Sequence, residues 1–161
     1  MTSSRLLTDL VPIVQAKAEL FEQRCLGAGI EVLIYSTYRD GPAQHEIWRK
    51  GRETAGPPCS CGGHENPIGT CPKHSLGLIV TMADSGDSFH QYKVAFDWVP
   101  LVHGKPAWNE DEYYDQCGII AESIGLEWAG RWTGHFKEKG HCQFTDGLTL
   151  VDFQAGKTVV A

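Results

Sequence analysis

The sequence predicts an α+β fold, a small and mainly antiparallel sheet flanked by helices. Helical and strand-like stretches follow one another as helix, strand, helix, strands, helix, strands, which suits a compact α+β domain. The strand-like runs are short and rich in β-branched and aromatic residues, as in Ile30–Tyr35 and Val94–Val99. The first and last helical stretches stop at glycines.

Residues 4–26 read as an amphipathic helix. Leu6, Leu7, Leu10, Val14, Phe21 and Cys25 recur at spacings of three, four and seven, and Gly27 and Gly29 supply the stop. Ile30–Tyr35 reads as a buried strand. Asp40 then suits an N-cap, and Pro42 suits the first turn of a short helix reaching Lys50. Leu78–Thr81 and Val94–Val99 resume strand character. Asn109 and Glu112 have capping-box spacing, so a helix follows, with Tyr113, Cys117, Ile120 and Ile124 as its apolar stripe and Gly125 as its end. Leu126–Trp128 and His141–Phe144 read as short strands. Cys25 and Cys117 fall on apolar helix faces and are read as small buried hydrophobes.

A chain of 161 residues is most simply one domain, spanning 1–161. Within it, residues 53–77 stand apart: rich in Gly, Pro, Cys and His, without an apolar period, they read as an irregular insertion that carries function or needs a staple. Apolar residues make up 42% and charged residues 21%, ordinary for a globular fold. The net charge of −6 argues against nucleic acid, whose binding rests on Lys and Arg meeting phosphates. No apolar run approaches the ~20 residues that span a bilayer, so no membrane insertion is expected. Asp9 and Gln15 interrupt the apolar core a signal peptide needs. The chain is therefore expected to be made in the cytoplasm, without a signal peptide.

The chemistry concentrates in two segments. His90 precedes Asp97 by seven positions, and Glu138 precedes His141 by three. Two imidazoles and one carboxylate can hold a zinc ion and leave a fourth position open for water, with Glu138 as a spare carboxylate that takes a proton. His90 and Asp97 meet one ion only if the chain reverses between them. Seven steps along a straight strand cover more than roughly 20 Å. Gln91-Tyr92-Lys93 would make that turn, and the small Ala95 would share the face of Asp97 and leave room. The alternative is a structural hydrogen bond between His90 and Asp97, with His141 in an unrelated strand. The spacing alone does not choose.

The wider arrangement resembles the zinc L-alanyl-D-glutamate endopeptidase and D-alanyl-D-alanine carboxypeptidase family. Ser88, His90, Ala95 and Asp97 match its first pattern; Glu138, His141 and Gln143 match its last. Ser36, Tyr38, Arg39, Gln44, Gly51 and Arg52 match a third, Ile79-Val80-Thr81 with Ala83 resembles the approach to the first, and Gly130-Arg131-Trp132 resembles the segment before the last. The blocks run in order from about residue 30 to 145. Two positions depart from the pattern: Lys93 replaces a usual Gly, and Gly140 a usual Pro.

The resemblance implies the hedgehog-like zinc peptidase fold of D-Ala-D-Ala carboxypeptidases. It implies His90, Asp97 and His141 as zinc ligands and Glu138 as catalytic base. Arg39 would polarise the scissile carbonyl or hold a substrate carboxylate, its permanent charge suiting an oxyanion. Ser88 and Gln44 would contact substrate or serve only as loop hydrogen bonders. Trp98 and Trp132 read as core or pocket wall. The expected substrate is the peptidoglycan stem peptide, cut at the L-Ala–D-Glu bond or a neighbour by a monomeric phage endolysin that reaches the wall or periplasm after release. The rivals are a bacterial D,D-carboxypeptidase that releases terminal D-Ala, and a zinc-containing wall-binding module without turnover.

In the insertion, Cys61, His64, Cys71 and His74 form two Cys-x-x-His pairs. Four such ligands suit a closed structural zinc site, with Cys59 as a spare; a disulfide or free thiols are the alternatives. His45, His103 and His135 lack comparable partners and read as surface or structural, with His135 near the last block and able to line the cleft.

Overall fold

The first helix, α1 (Pro12–Gly27), begins at a proline, and this corrects the longer helix expected over residues 4–26. Proline lacks the amide hydrogen, and its ring clashes with a preceding helical turn, so it opens a helix rather than continuing one. Leu7–Asp9 instead form a separate single turn of 3-10 helix. The computed structural model describes residues 1–133 and 137–160; His135 lies outside them.

The chain forms two compact units. The larger comprises Ser3–Arg39 and the chain from Phe89 onward. It holds α1, strand β1 (Glu31–Ser36), β2 (Ala95–Val102), β3 (Lys105–Pro106), helix α3 (Asp111–Ser123), β4 (Glu127–Trp128), β5 (His141–Gln143) and helix α4 (Leu150–Gln154). The smaller comprises Met1–Thr2 and Asp40–Ser88 and holds helix α2 (Gly41–Arg49).

The sheet runs β1-β2-β5-β4, with β3 paired to β2, and every pairing is antiparallel. Alternation along β2 divides its side chains between two faces. Phe96 and Trp98 face the core, where the Phe21 ring of α1 lies 5.8 and 5.1 Å from theirs. Val14, Ala18 and Cys25 of α1 and Cys117 of α3 are buried in the same core. Burying a side chain as large as Phe21 or Trp98 contributes about 2–3 kcal/mol of transfer free energy. Ala95 and Asp97 point the other way, which is how a half-buried acid comes to stand on a strand whose alternate residues are core.

The capping box expected at Asn109 and Glu112 does not form; Glu110 occupies the cap of α3 without a side-chain hydrogen bond. A capping box forms instead at Thr149 and Asp152, which open α4. In the smaller unit Asp40 caps α2 as expected, accepting from the Ala43 amide at 2.9 Å. Leu78–Thr81 is not a strand. The Leu78 amide donates to the Pro57 carbonyl at 2.8 Å, and no ladder partner lies alongside among the described residues. Leu78 and Ile79 stay 37% and 42% exposed, so the run is apolar without being core. No helix among the described residues is long and apolar enough to cross a membrane.

Candidate active site

The register of β2 against β5 places Asp97 directly opposite His141, and Ala95 opposite Gln143. Directly opposed residues of an antiparallel pair share a face with Cβ atoms about 5 Å apart. Two residues 44 positions apart in sequence thus become neighbours without any loop holding them. His90 arrives by a different route. It sits on a 3-10 turn, Phe89–Tyr92, which Lys93 ends at φ 61°. That is the reversal the spacing required. It also explains why the related pattern has glycine where this chain has Lys93: the position is left-handed.

His90 Nε2 lies 3.1 Å and His141 Nδ1 2.9 Å from the same oxygen, Oδ1 of Asp97. All three residues offer ligand atoms within 4.8 Å of one another. The far side of each ring fixes what these near atoms can be. His90 Nδ1 sits 2.6 Å from the Thr37 carbonyl oxygen, which only accepts, so Nδ1 carries the proton and Nε2 presents a lone pair. Gln143 Nε2 donates to Glu127 at 2.9 Å, which turns Gln143 Oε1 toward His141 Nε2 at 3.1 Å. His141 Nε2 therefore carries a proton, and Nδ1 is the nitrogen that faces Asp97, free to bind a cation once it gives up its own proton. Two imidazole nitrogens and a carboxylate oxygen converge, an arrangement a cation between them satisfies. The residues fit a divalent ion, and the outer partners orient the ligands as metal-site histidines require.

Arg39 Nη2 donates to the other oxygen of Asp97, Oδ2, at 2.6 Å. The guanidinium thus fixes the carboxylate and leaves Oδ1 to the histidines. Burial opposes the charge on Asp97, but His90 and His141 outweigh it and hold its carboxyl well below the usual range. Burial lowers the basicity of His90, whereas for His141 the pull of Asp97 prevails over burial and raises it. Glu138 Oε2 lies 3.7 Å from His141 Nδ1, with its side chain 29% exposed. Burial foremost pushes its carboxyl above the usual value, the direction that suits a group taking and returning protons near neutrality.

His90, Asp97, His141, Arg39 and Glu138 all belong to the larger unit. Ser88 and Gln44 belong to the smaller one. There Gln44 is fully buried and donates to the Ala83 carbonyl at 2.8 Å, and Ser88 is buried just ahead of the 3-10 turn. Trp98 is core, donating to Cys142 Sγ at 3.3 Å, while the Trp132 ring lies 5.6 Å from that of His141 and walls the site. His45 stacks on Trp48 and meets Asp84 at 2.7 Å; His103 turns the chain between β2 and β3. A Cβ at Gly140 would lie 2.4 Å from the Trp98 carbonyl oxygen, and the Trp98 amide donates to the Gly140 carbonyl at 2.7 Å. A bare backbone there lets the approach to His141 hug β2.

Glu127 and the Thr37 carbonyl escaped the sequence reading. Glu127 lies opposite Gln143 in the β4–β5 register and also accepts from the Thr145 amide at 3.1 Å. Its signal was an acid in a short strand next to an apolar Trp. A backbone carbonyl such as that of Thr37 has no signal in residue identity.

In the insertion the grouped ligands are Cys59, Cys61, Cys71 and His74, whose ligand atoms lie within 4.8 Å of one another. This replaces the expected set of Cys61, His64, Cys71 and His74. Cys59 is 1% exposed and bridges to Asn66, which folds the loop back over it. His64 follows two left-handed glycines, Gly62 and Gly63, and is exposed.

Residues 81–144 match the family model described as D-alanyl-D-alanine carboxypeptidase. The peptidoglycan L-alanyl-D-glutamate endopeptidase CwlK of Bacillus subtilis is 28% identical over 145 residues, covering 84% of this chain and 74% of CwlK. Among solved structures, the L-Ala D-Glu endopeptidase ChiX of Serratia marcescens superposes with a TM-score of 0.57 at 20% identity, covering 92% of this chain and 86% of that one. The D,D-pentapeptidase VanY, an E175A mutant solved with Zn(II), gives 0.60 at 17% identity, covering 89% and 78%. These two share the fold. The matched segment contains His90, Asp97, Glu138 and His141, so the residues that build this site lie within the stretch of the chain that is similar to the D-alanyl-D-alanine carboxypeptidase family.

Proposed function

We propose that this chain is a zinc-dependent endopeptidase that hydrolyses the L-Ala–D-Glu bond of peptidoglycan stem peptides. The carrying observation is the convergence of two imidazole nitrogens on one oxygen of Asp97, each ring fixed from behind by a hydrogen bond. The choice of bond rests on the likeness to CwlK.

His90, Asp97 and His141 would hold the ion. Two nitrogens and one oxygen suit zinc with a position left open. Zinc, when bound there, supplies Lewis acidity that polarises a carbonyl and acidifies water. Glu138 takes the proton from the attacking water and delivers it to the departing amide nitrogen. The water oxygen stays on the carbonyl carbon, the C–N bond breaks, and a free carboxylate and a free amine leave. Arg39 holds Asp97 in place through Oδ2, and its fixed charge would favour negative charge developing on a bound carbonyl oxygen. Trp132 supplies an apolar wall next to His141.

Digestion of purified muropeptides, read by mass spectrometry, tests the bond. The expected products are L-Ala retained on the muramyl side and a peptide with a new D-Glu amino terminus. Release of terminal D-Ala instead would make the chain a D,D-carboxypeptidase. Wall binding without products would make it a binding module, in which a displaceable base such as Glu138 has no use. The biological setting is proposed on the sequence resemblance alone. It is a monomeric phage endolysin, made in the host cytoplasm and acting on the wall after release, and lysis of intact cells tests it.

A further inference from the structure

We propose a second metal site, a structural zinc held by Cys59, Cys61, Cys71 and His74, drawn from a separate stretch of the chain and chemically distinct from the first.

The smaller unit has almost no apolar core. Between residues 45 and 80 the buried residues are Cys59, Cys71 and Gly77, so the only buried side chains in that stretch end in sulfur. Ile68, Leu76, Leu78 and Ile79 are 37–42% exposed and close no core among themselves. A segment that cannot bury enough apolar surface needs a staple, and a metal is one of the few available.

The backbone makes two short turns that bring the ligands together. Cys59 pairs with Asn66 in an antiparallel bridge, and the left-handed Gly62 and Gly63 turn the loop between them, which carries Cys61. Farther on, the His74 amide donates to the Cys71 carbonyl at 3.2 Å, and the Gly69 amide donates to the Ser75 carbonyl at 2.8 Å. Gly77 then passes so close to the Pro57 carbonyl that a Cβ would lie 2.5 Å from it. The result is a Cys-x-Cys arm facing a Cys-x-x-His arm.

The separations suit a tetrahedron. His74 Nδ1 lies 3.2 Å from Cys61 Sγ and 3.7 Å from Cys71 Sγ. Bonds of about 2.3 Å to sulfur and about 2.0 Å to nitrogen place neighbouring sulfur and nitrogen ligands about 3.5 Å apart. A disulfide would need one close pair of sulfurs; here three sulfurs and a nitrogen share one space, and all six cysteines are free thiols. Thiolates with one imidazole select zinc over the hard cations. Asn66 Nδ2 lies 3.4 Å from Cys59 Sγ and 2.9 Å from the Cys61 carbonyl, an outer partner that steadies a thiolate.

The first site contains no sulfur, so cobalt replacement separates the two. The full chain, stripped of metal and reloaded with Co(II), is expected to bind two equivalents. It should also show a sulfur-to-cobalt charge-transfer band that saturates at one. His90→Ala should bind one equivalent and keep the band at full intensity. Cys71→Ser should lose the band and one equivalent. The wild-type spectrum alone decides the matter if Cys71→Ser fails to fold. Absence of the band in fully reduced protein overturns the second site. So does an intact mass two hydrogens short, which marks a disulfide, or a band unchanged in Cys71→Ser. Loss of the band leaves the peptidase reading untouched, and loss of activity in His90→Ala leaves the band untouched.

Discussion

Asp97 and His141 face each other across β2 and β5, and a single carboxylate oxygen stands 2.9 Å from the imidazole Nδ1. The sheet register, not a flexible loop, therefore fixes two of the three proposed ligands. Only His90 depends on a turn. The catalytic roles can thus be tested apart from folding, because most of the site is built on the most deeply packed part of the chain.

Glu138→Gln should retain the ion and lose hydrolysis. Glutamine keeps the size of the side chain but cannot accept the proton. The expected fall in kcat is about 10²–10⁴-fold, the usual worth of a positioned general base. Metal content measured beside turnover of a defined stem peptide checks both halves. A variant with full activity would remove Glu138 as the base.

Gln143→Ala should weaken metal binding without removing a ligand. It frees His141 Nε2 from its acceptor, Gln143 Oε1, and lets the ring choose either tautomer. Losing such an outer partner typically costs about 10–100-fold in affinity. Competition against a zinc chelator reads the change. Wild-type affinity in this variant would mean that Glu127 and Gln143 do not orient His141.

Lys93→Gly should stabilise the chain. Lys93 holds φ at 61°, a region that costs a residue with a Cβ about 1 kcal/mol relative to glycine, although glycine returns part of that as unfolded-state entropy. The net gain expected is up to about 1 kcal/mol, read from the denaturant midpoint, with metal content unchanged.

Gly140→Ala should destabilise the chain and impair the site. The added methyl would meet the Trp98 carbonyl oxygen at 2.4 Å, a backbone atom that cannot rotate away. Overpacking of this kind costs about 1–3 kcal/mol. Because His141 is the next residue, kcat should fall along with the unfolding midpoint.

The sequence made the site more legible than the elements that carry it. His90, Asp97, Glu138 and His141 stood out as residue types that bind zinc and move protons, but their spacing left a structural hydrogen bond open until the wider resemblance assigned their roles; a reversal between His90 and Asp97 followed from chain geometry once both were to meet one ion. Pro12 should have shortened the first helix on local grounds. The capping box at Asn109 failed because spacing does not tell which residue the tertiary fold leaves at the helix end. Leu78–Thr81 failed because an apolar run shows hydrophobicity and not the presence of a neighbouring strand to pair with. Cys59 displaced His64 among the grouped ligands because loop closure, here an Asn66 bridge and two left-handed glycines, decides which side chains turn inward. The departure at Gly140 was visible in the sequence, but its cause, a carbonyl packed against it from β2, was not.

The most direct trial is anomalous diffraction at the zinc absorption edge from crystals of the purified full chain. A peak is expected within bonding distance of His90 Nε2, Asp97 Oδ1 and His141 Nδ1 together. Those three side chains hydrogen-bonded to one another, with no anomalous density among them in zinc-saturated crystals, would contradict it.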